Sequence, residues 1–386
     1  MEKRIFTFGS LVGFLAAGLL GLIGPAIAAD AGIETQAEQA IVLDMTTGTV
    51  LLEKNADERM PTSSMSKMIT VYKVFERLRD GRLSLEDTFH VSEKAWRKQG
   101  SKMFVGVNTR VSVQDLLRGI IVQSGNDATI VVAEGLAGSE SAFADELNRT
   151  AEEIGMTDSN FVNASGWPDP DHYSTARDLA KLAEATIRHF PEYYHYYSEK
   201  TFTYNGIKQS NRNPLLYADV GADGLKTGHA EEAGYGLTAS AERNGRRLIM
   251  VLNGLPDKAS RGTESERLLD WAFREFDNYA LFNAGEQVSE AEVWMGVEGH
   301  VPLMIEEDVL LTLPRKSRRN MKAKVLYAGP IAAPIAKGRR LATLRIEVPD
   351  REHMDFPLVA GADVPQLGIF SRLGAAITFV LWGESS

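Results

Sequence analysis

Residues 61–70 read PTSSMSKMIT, and within them Ser64 and Lys67 stand three positions apart where a helix begins. On a helix, positions i and i+3 share a face. A serine at a helix start also lies where free N–H groups and the positive end of the dipole point. Such a serine can attack a carbonyl while nearby amides hold the oxyanion. Lys67 can take its proton only if the lysine pKa is depressed, and burial and a second cation both depress an amine. The pattern therefore asks for another lysine close by. Alone it is weak, because about one Ser-x-x-Lys arises by chance in a chain this long. Ser64 by itself reads as an N-cap.

Working outward, Met68, Val71, Tyr72, Phe75 and Leu78 recur at three and four, which predicts a helix ending at Asp80-Gly81. Upstream, AIVLDMTTGTVLLE (40–53) predicts a hairpin with strands Ala40–Asp44 and Val50–Glu53 around a TTG turn. Downstream, helices are expected at 113–122, 125–136, 140–154, 176–189 and 263–275. Strands are expected at 201–205, 234–243 and 246–254, the last two turned by Asn244-Gly245. From about residue 280 short alternating runs separated by Pro and Gly replace the helical period, which predicts a small all-β domain. Within it, the basic run RKSRRN (315–320) reads as a solvated loop.

Two more segments carry chemistry. In IIVQSGNDAT (120–129), Ser124-Gly125-Asn126 follows an apolar helix, so a tight turn presents a hydroxyl and a carboxamide from a rigid base. Asn126 both donates and accepts and can hold a peptide bond, while Ser124 can relay a proton. In DGLKTGHAEEAGY (223–235), Lys226-Thr227-Gly228 opens a strand. Lys226 is the second cation the first motif asks for, and Thr227 offers a hydroxyl to a carboxylate. Gly228 lets a ligand backbone approach, and the His229 amide can complete an oxyanion hole with that of Ser64. Taken singly, these segments read as helix caps and a hairpin corner.

Composition narrows the field. With 386 residues, 44% hydrophobic and 24% charged, the chain is long enough for two domains. It has no cysteine, which excludes disulfides, thiol catalysis and Cys-ligated zinc. Seven scattered histidines contain no HExxH, so no metal and no cofactor is expected. Lys3 and Arg4, the apolar run Leu11–Ile23 and Ala26-Ile27-Ala28 form a secretory leader over residues 1–29. The net charge of −10 makes nucleic acid a poor partner. At the other end, Leu367, Phe370, Leu373, Ile377 and Leu381 fall on one helical face. The apolar run there is too short to span a bilayer, and an amphipathic helix lying in the membrane surface fits.

The order Ser64-x-x-Lys67, Ser124-x-Asn126, Lys226-Thr227-Gly228 resembles the signature of penicillin-recognising serine enzymes. More closely, the chain resembles low-molecular-mass penicillin-binding proteins of the D-alanyl-D-alanine carboxypeptidase type, peptidase family S11. RMPTSSMSKMITVYKVFE, KQGSKMFV (98–105), NASGWPDPDHYSTARDLAKLA (163–183), KTGHAEEAGY and SRGTESERLLDW (260–271) all carry the likeness. It implies an α/β (α+β) catalytic domain of the serine β-lactamase/transpeptidase type over 30–278, an antiparallel sheet flanked by helices. A small all-β domain over 279–362 and an amphipathic membrane-anchoring helix over 363–386 follow. It further implies an architectural role for the Asn163–Asp178 segment and a carboxylate-binding role for Arg261.

The reaction so implied is removal of the terminal D-alanine from peptidoglycan stem pentapeptides ending in D-Ala-D-Ala. Ser64 is the nucleophile, Lys67 its base, and Ser124 with Lys226 protonates the leaving D-alanine. Asn126, Lys226, Thr227, Gly228, His229 and Arg261 bind substrate, and β-lactams acylate Ser64. The expected location is the periplasmic face of the inner membrane, peripherally attached. A D,D-endopeptidase of the same family is the nearest alternative, with a β-lactamase and a non-catalytic wall-binding protein further off. DELNR (145–149) lacks the spacing of a deacylating Glu-x-x-Leu-Asn and reads as coincidence.

Overall fold

The computed structural model describes residues 33–349 and 351–369. The leader segment 1–29, and the tail helix beyond Ile369, lie outside the described residues. No helix among the described residues is long and apolar enough to cross a membrane. None of their His, Asp and Glu side chains gather in threes as metal ligands. The described residues divide into two compact units, one running to Arg274 and one from Glu275.

In the first unit β1 (Gln39–Asp44) and β2 (Val50–Lys54) form the expected hairpin. The Asp44 carboxylate makes the turn by accepting the N–H groups of Thr46 and Thr47 at 2.9 and 3.2 Å. β3 (Ala222–Ala230), β4 (Gly234–Arg243) and β5 (Arg246–Leu255) complete an antiparallel sheet in the order β2-β1-β5-β4-β3. Asn244 and Gly245 both take positive φ between β4 and β5, which suits the twist of a two-residue hairpin. The strand expected at 201–205 pairs only with Ile207–Ser210, in a ribbon apart from that sheet.

The helices begin where side chains can cap them. Ser112, Ser139 and Thr175 accept the third amide of α2 (Val113–Ile121), α4 (Glu140–Glu153) and α5 (Ala176–His189). Between them α3 (Asn126–Ala137) ends on Gly138 in the left-handed conformation. α6 (Lys258–Glu275) starts five residues before the expected 263, because the Asp257 carboxylate accepts the Ser260 amide at 2.7 Å and begins the helix there.

α1 (Lys67–Arg79) is the core of the unit. The three-and-four spacing marks one apolar face, but every residue from Lys67 to Phe75 is buried. A helix covered on all sides takes this form. Phe75 meets Phe190, Tyr193, Tyr196 and Tyr197 at ring centroid separations of 5.5–6.4 Å. Burying one such ring contributes roughly 1.5–3 kcal/mol. A base placed at the first turn of this helix is therefore held by an element enclosed on all sides from Lys67 to Phe75.

The second unit is all-β apart from one short 3-10 turn. Phe276–Phe282 pairs with Val309–Pro314. A six-stranded sheet holds, in spatial order, Lys322–Leu326, Arg340–Glu347, Met354–Ala360, His300–Ile305, Gln287–Trp294 and Ile331–Ala332. It has its own core, including Val301, Leu303, Leu344, Ile346 and Leu358. The alternating burial of Arg340–Glu347 is the period-2 pattern that marked this region as strand.

Candidate active site

Ser64 is not a helix cap. It lies in a 3-10 turn, Ser63–Ser66, that leads directly into α1. The N-cap position of α1 belongs to Ser66, whose hydroxyl caps nothing. Instead Ser66 Oγ lies 2.5 Å from Thr62 Oγ1 and 2.8 Å from His172 Nε2. His172 Nδ1 accepts the Val162 amide at 3.2 Å, so Nε2 carries the proton and donates it to Ser66. Burial pushes His172 down to about 4, and the neutral ring ties Ser66, at the end of the turn, to the backbone of Val162. Ser63 takes a positive φ of 48° beside the nucleophile, a conformation that costs a non-glycine residue roughly 1–3 kcal/mol.

Lys67 Nζ lies 2.7 Å from Ser64 Oγ and 2.6 Å from the carbonyl oxygen of Ser165. Lys67 is fully buried. Burial first, then the positive charges of Arg212 and Lys98, drive its pKa far below that of a free amine. A neutral amine has two N–H donors and one lone pair. With one N–H given to Ser165, the lone pair is available to Ser64 Oγ–H.

Lys226 lies on β3 and is also buried. Its Nζ is 3.0 Å from Ser124 Oγ and 3.3 Å from the Thr227 carbonyl. Its pKa is lowered by burial first, then by Lys67, Arg212 and Arg261. Each lysine holds its own serine, and the cations acting most on Lys67 are Arg212 and Lys98. The two amines interact through space, and burial makes a double positive charge unfavourable.

Ser124 adopts a positive φ of 58° between α2 and α3. Asn126 sits beneath it with Nδ2 donating to the Gln99 carbonyl at 2.9 Å and its own amide to Ser101 at 2.7 Å. Its amide is thus oriented by the 98–105 loop, leaving Oδ1 for a ligand N–H. Asp127 secures that loop by accepting the amides of Met103, Phe104 and Val105.

A β-carbon at Gly228 would lie 2.8 Å from the Thr62 carbonyl, so the missing side chain also lets the nucleophile turn pack against β3. Thr227 is buried beside it, and His229 is exposed with its ring 4.0 Å from that of Tyr235. β3 is the edge of its sheet, so its outer side has no strand partner among the described residues.

Arg261 is 6% exposed on α6. Its Nη2 donates to the Arg212 carbonyl at 3.3 Å, and its Nε has no acceptor among the described residues. A buried guanidinium with an unused donor is suited to receive a carboxylate. Arg212 and the Ser165 carbonyl are the two contributors that motif reading missed. Glu146 pairs with Arg77 at 2.9 Å and Lys73 at 3.9 Å, which commits it to the α1–α4 contact.

Residues 26–256 match the family model described as D-alanyl-D-alanine carboxypeptidase, peptidase S11, and residues 276–366 match that of the penicillin-binding protein 5 C-terminal domain. The chain is 38% identical to D-alanyl-D-alanine carboxypeptidase DacA of Haemophilus influenzae, covering 87% of each. It is 37% identical to DacC of Escherichia coli, covering 95% of each. The crystal structure of DacD from Francisella tularensis aligns with a TM-score of 0.80 at 30% identity, over 90% of this chain and 98% of that one. Penicillin-binding protein D2 of Listeria monocytogenes in its ampicillin-bound form aligns at 0.58 and 32% identity, over 62% of this chain and 98% of that one.

Proposed function

The chain belongs to the D-alanyl-D-alanine carboxypeptidase family, and from that premise we propose how its residues divide the work of a serine carboxypeptidase on peptides ending in D-Ala-D-Ala. Lys67, neutral in its buried site, takes the Ser64 proton. Ser64 Oγ attacks the penultimate carbonyl, and the amides of Ser64 and His229 hold the oxyanion. The terminal carboxylate sits against Thr227 and Arg261, with Arg212 adding charge. Asn126 Oδ1 accepts an N–H of the peptide. Lys226 passes a proton through Ser124 to the departing D-alanine. Water then cleaves the acyl-enzyme, and β-lactams enter by the same attack.

The observation that carries this reading is the 2.7 Å approach of a fully buried Lys67 amine to Ser64 Oγ. It is tested by labelling with fluorescent penicillin and by D-alanine release from a pentapeptide. A lasting label on Ser64 together with D-alanine release is expected. Rapid loss of the label would indicate a β-lactamase, and no label a binding module. Cleavage of crosslinked dimers in preference to pentapeptide would make the chain an endopeptidase.

We also propose export and peripheral attachment to the periplasmic face of the inner membrane. The basic-apolar-small pattern of residues 1–29 supports the first and the one-sided apolar spacing of 367–381 the second.

A further inference from the structure

In the β domain, two connections are fastened to the segment that leads out toward the tail. The first is the turn 336–340, built on Gly338 with a φ of +80°. Ile335, just before it, exchanges both backbone hydrogen bonds with Val364, at 3.0 and 2.8 Å. The Ala360 amide donates to the Arg339 carbonyl at 2.9 Å. The second is the connection 295–299, between the strands Gln287–Trp294 and His300–Ile305. Its Val297 amide donates to the Pro365 carbonyl, and the Leu367 amide donates to the Met295 carbonyl, both at 2.9 Å.

What these connections present differs. Lys337 and Arg339 are exposed, and neither side chain has an ion pair or hydrogen bond among the described residues. Arg340 follows them, and Asp355, the acid it acts on, is already paired with Arg345 at 2.7 Å. Two exposed acids share this end. Asp363 accepts the Lys337 amide at 2.8 Å, and Glu298 stands beside Val297. On the second connection Val297 is 57% exposed, and Ile369, two residues past the Leu367 bond, is 73% exposed. Free cations and apolar tips thus flank the exit of a segment whose apolar residues recur on one helical face.

The longer basic run, RKSRRN, lies elsewhere. It leads into Lys322, which stands opposite Glu347 at the far end of the strand that begins with Arg340. There Arg315 pairs with Asp277 at 3.2 Å, and Arg318 stacks 4.6 Å over the Tyr279 ring.

We propose that the β domain itself touches the bilayer. Lys337 and Arg339 meet the phosphates of anionic lipid headgroups, and Val297 and Ile369 reach the acyl boundary. A single apolar anchor binds a membrane marginally, and a neighbouring cationic patch makes the attachment stable. The turn 336–340 is that second anchor. This rests on the peripheral attachment proposed above.

Co-sedimentation of the full chain with vesicles of phosphatidylglycerol or of phosphatidylcholine tests it. Binding to phosphatidylglycerol is expected to be at least about ten-fold tighter, a preference lost in about 0.5 M salt. The Lys337→Gln, Arg339→Gln double variant should bind phosphatidylglycerol about ten-fold more weakly and phosphatidylcholine as before. Arg318→Gln, Arg319→Gln removes the same charge from the far end and should bind as the unaltered protein does. Unchanged binding in the first variant, or an equal loss in both, would overturn the proposal while leaving the tail as anchor. Release from phosphatidylglycerol by inorganic phosphate at constant ionic strength would indicate a free-anion site and overturn it too. Binding to neither vesicle would instead refute the attachment reading and remove the proposal with it.

Discussion

The α-carbon of Gly166 lies so near Ser63 that a β-carbon on it would stand 1.7 Å from the Ser63 carbonyl oxygen. The loop that gives Ser165 to Lys67 is thus stacked on the turn that gives Ser64. Gly166 also has a φ of +73°, which an L side chain rarely adopts. Gly166→Ala is expected to lower stability by about 2 kcal/mol and to slow acylation by penicillin at least ten-fold. Urea unfolding and stopped-flow labelling check this, and wild-type acylation in the variant would show that the stacking does not set the nucleophile.

Removing the nucleophile should separate chemistry from folding. Ser64 is half-buried, and Lys67 keeps its Ser165 contact without it. Ser64→Ala is expected to lose all penicillin labelling while changing stability by about 1 kcal/mol or less. Labelling at the wild-type level would reassign the nucleophile.

After burial, the positive charge of Arg212 does most to hold Lys67 below its ordinary range. Acylation needs Lys67 neutral, so its rate rises with pH through the Lys67 titration. Arg212→Ala removes a positive charge, raises the Lys67 pKa and moves that rise to more alkaline pH. An unmoved profile would mean that burial alone tunes the base.

His172 is buried neutral with a pKa of about 4 against 6.5 for a free ring, facing Asp169, which raises it, and Lys67, which lowers it. Above pH 6.5 neither state is protonated. As pH falls toward 4 the unfolded chain takes up a proton that the fold refuses, and stability is lost. The loss across this window is up to about 3 kcal/mol. His172→Gln should flatten the difference between urea unfolding at pH 7.5 and pH 4.5. Equal acid sensitivity in both proteins would count against a neutral ring.

Truncation from Gln366 onward is expected to release the protein from membranes into the soluble fraction, with D-alanine release retained. A truncated chain that still pellets with membranes would place the attachment elsewhere.

Much of this site could be read from spacing. Ser-x-x-Lys, Ser-x-Asn and Lys-Thr-Gly are local patterns, and the three-and-four apolar spacing from Met68 to Leu78 marked the helix that carries Lys67. What escaped acts without spacing. Ser165 contributes a backbone carbonyl, for which any residue would serve. Arg212 is one arginine in a loop. Its flanking asparagines were the available signal, since Asn213 caps a turn and donates to the Gly224 carbonyl of β3 at 2.8 Å. The burial of α1 on every side escaped as well, because Lys73 looks like a solvent position until its partners are known. Lys73 is held by Glu76 at 2.6 Å and Thr150 at 3.2 Å.

The claim beneath all of these is that an uncharged Lys67 activates Ser64. Its most direct test is a nitrogen-15 NMR titration of the lysine side chains, with Lys67 assigned by comparison with Lys67→Arg. The account predicts a Lys67 Nζ resonance in the neutral-amine position at pH 7.5, moving to the ammonium position only on acidification. A resonance that stays at the ammonium position until the pH approaches that of a free lysine would contradict it.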